Sequence, residues 1–121
     1  MTAELKCADK VQASWENKVH HLTQMRNSPD MVDEEGTEFN WYGLCFDLVE
    51  AWTWEDQPNP YYRYQISVGG PQEEIRYHQT RHDGTIVEYW YLDWFDGACI
   101  TLTGDDRDLA LWVYEMCHPE E

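Results

Sequence analysis

The chain has 121 residues, the size of one ordinary domain, and 42% of them are hydrophobic, with seven Trp and eight Tyr among them. This composition can fill a core without disulfides or a metal, which argues against a disordered acidic tail despite a formal net charge of −16 at pH 7. Because only eight Lys and Arg residues are scattered along the chain, direct binding to nucleic acid or to an anionic membrane is disfavoured.

The first predicted element is a helix over residues 4–26, where apolar residues recur at spacings of three and four. An acidic loop follows over 30–38. The next segment is rich in aromatic residues, and we interpret about 41–52 as a strand because the aromatic residues and Gly43 disfavour a helix. A helix over 44–52 is the alternative interpretation.

Short turns and alternating side chains predict a run of further strands. The predicted strands are 61–68, 73–79, 85–95 and 99–102, separated by turns at 55–60, 69–71, 83–84 and 96–97. In the second of them, Ile75 and Tyr77 face away from Glu74, Arg76 and His78. One face of each strand is therefore expected to be buried.

The last predicted element is a helix over 105–117. Asp105, Asp106 and Asp108 lie in its first turn, where acidic side chains stabilise the positive end of a helix. Short connections between strands imply antiparallel pairing, since parallel pairing needs longer crossovers. We therefore expect one α+β domain over 1–121, an antiparallel meander sheet of about four or five strands with an N-terminal and a C-terminal helix on one face.

Motifs for catalysis, cofactors or metals are not recognisable in the sequence. Five histidines are present, but nothing in their spacing requires them to converge on a metal ion. Arg63, Arg76 and Glu88 fall on neighbouring predicted strands, where cross-strand ion pairs are the natural expectation. We accordingly expect a protein that is not an enzyme, with no cofactor and no metal.

The N-terminus lacks the apolar region of a secretory signal, which predicts a cytoplasmic protein. In that compartment cysteines stay reduced, and none of the four lies in a C-x-x-C pair. We expect Cys7, Cys45, Cys99 and Cys117 to be small buried hydrophobic residues.

The negative charge is concentrated in two segments. Residues 27–62 contain nine acidic residues and no Lys or Arg, and residues 82–121 contain ten acidic residues and one Arg. Self-repulsion of this kind costs folding stability, so the acidity needs a reason, which is either solubility or a cationic partner. Trp and Tyr, which are enriched at binding hot spots, stand beside several of these acidic residues. The residues predicted to contact a partner are Asp33, Glu34, Glu35, Glu38, Trp52, Trp54, Glu55, Asp56, Asp105, Asp106 and Asp108.

Three stretches of the chain resemble a group of small, uncharacterised acidic proteins carried by phages and plasmids. These stretches are WYGLCFD at 41–47, RYQISVGGP at 63–71 and EYWYLDWFDGA at 88–98. The resemblance spans about 39–104 and implies a mobile-element origin without implying an activity. In size and acidity the chain is also similar to antirestriction and anti-CRISPR proteins that mimic DNA.

The charge is large enough for DNA mimicry, because B-DNA carries one charge per about 1.7 Å and sixteen charges match roughly 27 Å of duplex. The leading hypothesis is a non-enzymatic protein that binds and blocks a basic surface of a host nucleic-acid-handling protein. The alternative is an interaction or assembly protein, a homodimer included, that uses an exposed aromatic sheet face while its acidity serves only solubility.

Overall fold

Apart from one short helix that was not predicted, the helices and strands follow one another in the predicted order. The computed structural model describes residues 7–68, 71–80, 84–93 and 96–117. Its helices are α1 (Cys7–Asn27), α2 (Phe39–Tyr42) and α3 (Gly104–Cys117), and its strands are β1 (Cys45–Val49), β2 (Tyr61–Ser67), β3 (Gln72–Gln79), β4 (Thr85–Asp93) and β5 (Asp96–Thr101). The strands form one antiparallel sheet in the order β1-β2-β3-β4-β5. The α+β class and the antiparallel meander are confirmed.

The core lies between α1, α3 and one face of the sheet. Most of the predicted apolar stripe of α1 is buried, although Ala8 is exposed and Val19 is half-buried. The ring of Trp15 lies 5.3 Å from that of Tyr89 on β4. On α3, the backbone oxygen of Ala110 accepts a hydrogen bond of 2.6 Å from the hydroxyl of Tyr77 on β3. Each fully buried large apolar side chain contributes about 1.5–3 kcal/mol relative to exposure, so this interface stabilises the fold.

The prediction that the four cysteines are buried is wrong for two of them. Cys7 is buried, whereas Cys45 and Cys99 are exposed.

The strand predicted over 41–52 is wrong at its N-terminal end and extends too far at its C-terminal end. Phe39 begins the short helix α2 because its buried ring packs against Tyr64 and Trp112, at centroid distances of 6.1 and 5.1 Å. Gly43 then lies so close to the ring of Tyr64 that a Cβ at this position would overlap it. Strand β1 starts two residues later, at Cys45, and ends at Val49. The alternative helix over 44–52 is also wrong.

Several other predicted boundaries shift by a few residues. Strand β5 begins at Asp96, which pairs with Asp93, so the turn predicted at 96–97 is wrong and those residues belong to the strand. Gly84 has a φ of 72° and its oxygen accepts a bond of 2.9 Å from the amide of Thr80, which fits the predicted hairpin at 83–84. Residues 4–6, 69–70, 81–83 and 94–95, on which parts of the predictions fall, lie outside the described residues.

The second face of the sheet, which we call the open face, carries charged and aromatic side chains. Arg63 on β2, Arg76 on β3 and Glu88 on β4 are direct register partners, so they form one row across this face. The segment between β1 and β2, residues 50–60, lies over part of it. In the ranges that the structure describes, no helix has the length and apolar character needed to cross a membrane.

Candidate functional site

The 50–60 loop is held in one shape by Gln57. Its side-chain amide donates to the backbone oxygen of Glu50 at 3.0 Å, while its side-chain oxygen accepts a bond of 3.1 Å from the backbone amide of Trp54. Its own backbone oxygen accepts a bond of 2.7 Å from the amide of Trp52. The side-chain amide also donates to the backbone oxygen of Asn59 at 2.8 Å, so Gln57 bonds four backbone groups of the loop.

Two residues of this loop adopt a left-handed backbone conformation. Trp52 has a φ of 65° and Asp56 a φ of 59°. For a bulky residue such as Trp this conformation costs about 1–2 kcal/mol, and residues held in it tend to cluster at functional sites. The side chain of Trp52 is 68% exposed, so its burial does not repay the strain.

The loop presents aromatic and acidic side chains together. Trp54 is 52% exposed, and its neighbours Glu55 and Asp56 are exposed as well. Residues 27–62 contain no Lys or Arg, so no basic side chain from this segment can neutralise these carboxylates. The structure therefore brings together the predicted contact residues Trp52, Trp54, Glu55 and Asp56.

Beneath the 50–60 loop lies a cavity of about 580 Å³, between the loop and the open face. Ligand pockets commonly measure about 300–1,000 Å³, so the cavity is large enough for a small molecule. The loop contributes Trp54, Glu55, Asp56, Gln57, Pro58 and Asn59, and the sheet contributes Tyr61, Arg63, Gln72, Glu74, Arg76, His78 and Leu92.

The floor of this cavity is a buried ion pair between Glu74 and Arg76. Glu74 is fully buried, and its two carboxylate oxygens accept hydrogen bonds of 2.6 Å from Nε of Arg76 and 2.5 Å from Nε2 of Gln72. The guanidinium carbon of Arg76 lies 4.0 Å from the ring centroid of Trp90 and 5.0 Å from that of Tyr61. A cation over aromatic rings is stabilised by their quadrupoles, so the two rings fix the position of the guanidinium.

Two further charged pairs flank the floor. Arg63 donates from Nε and Nη2 to the two oxygens of Asp47 at 3.0 and 2.7 Å, and this hydrogen bonding raises the pKa of Arg63. His78 contacts Glu88 at 2.9 Å, and that hydrogen bond lowers the pKa of Glu88 although partial burial acts against it. Arg63, Arg76 and Glu88 lie on neighbouring strands as predicted, but the expected ion pairs between them do not form in the described part of the chain. Each is paired with another residue instead.

The acidic loop at 30–38 is built around Asp33. Asp33 is only 7% exposed, and its carboxylate accepts bonds of 2.9 Å from the amides of both Glu35 and Thr37 and contacts His21 at 3.1 Å. Burial alone would raise the pKa of Asp33, but the two backbone amides and His21 lower it below its ordinary value. Asp33 therefore closes the loop and does not offer its carboxylate to a partner.

The other predicted acidic residues lie on the helix side of the sheet, at separate places. Glu34, Glu35 and Glu38 are exposed near the end of α1, and Glu34 contacts His20 at 2.9 Å. Asp105 and Asp106 lie in the first turn of α3, where Asp106 is half-buried, and Asp108 comes after that turn, not within it as predicted. The acidic loop is next to Phe39, which packs on Trp112 of α3. Trp112 is about 12 Å along the helix from Gly104, so the loop and the start of α3 are apart. The predicted acidic residues consequently do not form one patch, since Glu55 and Asp56 lie over the open face.

One group of side chains on the helix side has the composition of a metal site. Ligand atoms of His21, Asp33 and Glu35 lie within 4.8 Å of one another. Both oxygens of Asp33 already accept hydrogen bonds from the protein, so we attribute this group to the closure of the acidic loop.

Sequence reasoning missed the roles of Gln57 and Glu74. Gln57 looks like an ordinary turn residue, and its role depends on backbone geometry that composition does not reveal. Glu74 alternates with Ile75 as a solvent-facing residue would, yet it is fully buried, with Gln72 and Arg76 donating to its carboxylate. The dense aromatic residues before and after β1 were the available signal that a loop here could cover a sheet face.

No known protein family matches the chain, and no curated protein or solved structure gives a significant match.

Proposed function

We propose that this protein is a non-enzymatic interaction protein that binds a basic surface of another protein, with the 50–60 loop as its contact. The observation that supports this most is the exposure of Trp52 and Trp54 beside Glu55 and Asp56 on a loop that Gln57 holds in a strained shape. Trp side chains are frequent hot spots in interfaces, and a Trp ring attracts the Arg or Lys of a partner. The neighbouring carboxylates would pair with the same cations.

The partner we propose is a basic, nucleic-acid-handling host protein, which this protein would block. The net charge of −16 supports a cationic partner, and the resemblance to phage and plasmid proteins supports a host target. The acidic residues on the helix side, Glu34, Glu35, Glu38, Asp105, Asp106 and Asp108, would speed the encounter by long-range attraction rather than by contact. Asp33 has no part in the proposal, because its carboxylate is buried.

A second candidate function is self-association or assembly through apolar residues at the β1 edge of the sheet. Trp41 is 78% exposed, and Leu44 before β1 and Leu48 within it are exposed as well. β1 is an edge strand, and an edge with exposed apolar side chains is a surface on which another chain can pair. In this case the acidity would serve only solubility.

A pull-down from a lysate of bacterial cells, eluted with stepwise increasing salt, tests the proposal. Between about 0.1 and 1 M salt the Debye length falls from about 10 to 3 Å, so an electrostatic contact is released early. The loop variant is Glu55→Gln with Asp56→Asn, and the matched control is Glu16→Gln with Glu115→Gln, which removes two exposed charges from α1 and α3.

We expect a basic partner that the wild type and the control capture and that the loop variant loses. An equal loss in the control would mean that only total charge matters, and the loop would not be the contact. A partner that survives high salt, or self-association alone, would favour the second candidate function.

A further inference from the structure

The arginine at the floor of the cavity has donors that the protein does not use. A guanidinium carries five N–H groups. In Arg76 the Nε group donates to Glu74, and across the described ranges its two terminal nitrogens have no hydrogen-bond partner. The side chain is only 17% exposed, so the cavity is the open space beside it.

The orientation of these donors suits a planar acid group. Arg76 is stacked against Trp90 and Tyr61, which fixes the plane of its guanidinium. The two terminal nitrogens form a fork that matches the two oxygens of a carboxylate. A ligand carboxylate at this position would make two charge-assisted hydrogen bonds.

The charges around the cavity exclude a simple anion as the best ligand. Arg76 is balanced by Glu74, and Arg63 by Asp47. This leaves the carboxylates of Glu55 and Asp56 uncompensated at the rim, where they repel a second negative charge. A positive group on the ligand would remove that repulsion, and it would also lie near the ring of Trp54.

We propose that the cavity binds a small zwitterion of the amino-acid type, with its carboxylate on the fork of Arg76 and its ammonium group at Glu55 and Asp56. The site is built before the ligand arrives, because Gln57 fixes the loop and the buried Glu74 fixes the arginine. The inference does not rest on the proposed partner. The ligand proposal and the partner proposal can be tested separately with a variant of Arg76. This residue lies at the cavity floor, so its replacement changes the ligand site and leaves the exposed side chains of the loop in place.

Calorimetric titration with three related probes tests the charge requirement. L-lysine carries both charges, hexanoate carries only the carboxylate, and L-lysine amide carries only ammonium groups. We expect L-lysine to bind at least about tenfold more tightly than either of the other two, the size of effect that one lost charge-assisted contact gives. Equal binding of hexanoate or of the amide, or no heat with L-lysine at about 10 mM, would overturn the proposal.

Two variants locate the binding, each with circular dichroism to verify the fold. Arg76→Lys keeps a positive charge beside Glu74 but removes the planar fork, and Glu55→Gln with Asp56→Asn removes the rim charges. Both variants are expected to bind L-lysine at least about tenfold more weakly than the wild type does. The control Glu16→Gln with Glu115→Gln should bind it with unchanged affinity. If Arg76→Lys does not fold, the proposal is tested by the rim variant and by the comparison of the three probes. Unchanged affinity in the rim variant would overturn the proposal.

Discussion

The indole N–H of Trp54 donates a hydrogen bond of 3.0 Å to the hydroxyl of Tyr61. Tyr61 is buried on β2, so this bond ties an exposed loop residue to the rigid sheet. A binding surface that is already ordered loses less conformational entropy when a partner arrives. If the 50–60 loop is the contact we propose, it is therefore ordered before a partner arrives and does not need to fold on binding.

Replacing Gln57 tests whether that loop is held from within. In Gln57→Ala the amide of Trp54 loses its acceptor. The backbone oxygen of Glu50 loses one donor and keeps the two hydrogen bonds from Thr53. We expect faster hydrogen exchange at the amide of Trp54, with a loss of at most about 1 kcal/mol in the free energy of unfolding. Gln12→Ala, on the exposed side of α1, is the control and should leave loop exchange unchanged. Equal exchange in Gln57→Ala and the wild type would show that Gln57 does not hold the loop.

The strained backbone of Trp52 predicts that a variant which relieves the strain is at least as stable as the wild type but binds a partner more weakly. Trp52→Gly relieves the left-handed conformation, and it removes a side chain that is mostly exposed. The free energy of unfolding should stay the same or rise by up to about 1 kcal/mol, because the relief exceeds the extra entropy of glycine in the unfolded chain. Partner binding should weaken. Urea unfolding checks the first expectation, and a loss of stability above about 1 kcal/mol would contradict it.

A charged pair beneath α1 stabilises the interface between helix and sheet. Nζ of Lys18 lies 2.9 Å from Oε1 of Glu73 on β3, and both side chains are only 11% exposed. Lys18→Met leaves the carboxylate of Glu73 without its cation, although Ser14 and Tyr89 still donate to it. We expect a loss of about 2–4 kcal/mol in urea unfolding.

The half-buried Lys10 on the same helix supplies the control for that experiment. Lys10→Met should change the free energy of unfolding by no more than about 0.5 kcal/mol, the usual range for a substitution away from the core. If both lysine variants behave alike, the pair under α1 contributes nothing specific.

The same carboxylate predicts how stability responds to acid. Burial alone would raise the pKa of Glu73, but hydrogen bonds from Ser14, Tyr89 and Lys18 lower it below the ordinary value of 4.5. The folded protein therefore binds fewer protons at this site than the unfolded chain. The stability from Glu73 is complete above pH 4.5 and is lost as the pH falls through the lowered pKa.

A comparison with Glu73→Gln isolates that contribution. Protonation of other acids also relieves the self-repulsion of the chain, so only the difference between wild type and variant is informative. The difference in the free energy of unfolding should be largest near neutral pH and shrink between about pH 5 and pH 3. A difference that is constant over this range would contradict the lowered pKa.

The sequence could predict the sheet because its strands alternate with a period of two. Ile75 and Tyr77 do face the core while Glu74, Arg76 and His78 lie on the open face. The helix α2 was missed because its aromatic residues favour a strand locally, and the packing of Phe39 against a distant ring overrides that preference.

Buried charges mark the limit of what pattern alone could predict. Lys18, Glu73 and Glu74 look like solvent-facing residues in the sequence, yet each is buried beside a partner. Lys18 and Glu73 come from a helix and a strand that only the assembled fold brings together. The partners of Glu74 are on its own strand, and its full burial is what the pattern did not predict. For the candidate site, the sequence pointed to Trp52, Trp54, Glu55 and Asp56, but the cavity floor and the role of Gln57 needed the structure.

One affinity measurement tests the loop contact most directly. The purified captured partner is titrated with the wild type and with Glu55→Gln plus Asp56→Asn, at salt concentrations from about 50 to 200 mM. We predict that the loop variant binds at least about tenfold more weakly at the lowest salt and depends less steeply on salt, because two direct charge contacts are gone. The control Glu16→Gln with Glu115→Gln should bind as the wild type does. An affinity that falls equally in both variants, or in neither, would contradict the 50–60 loop as the contact for a basic partner.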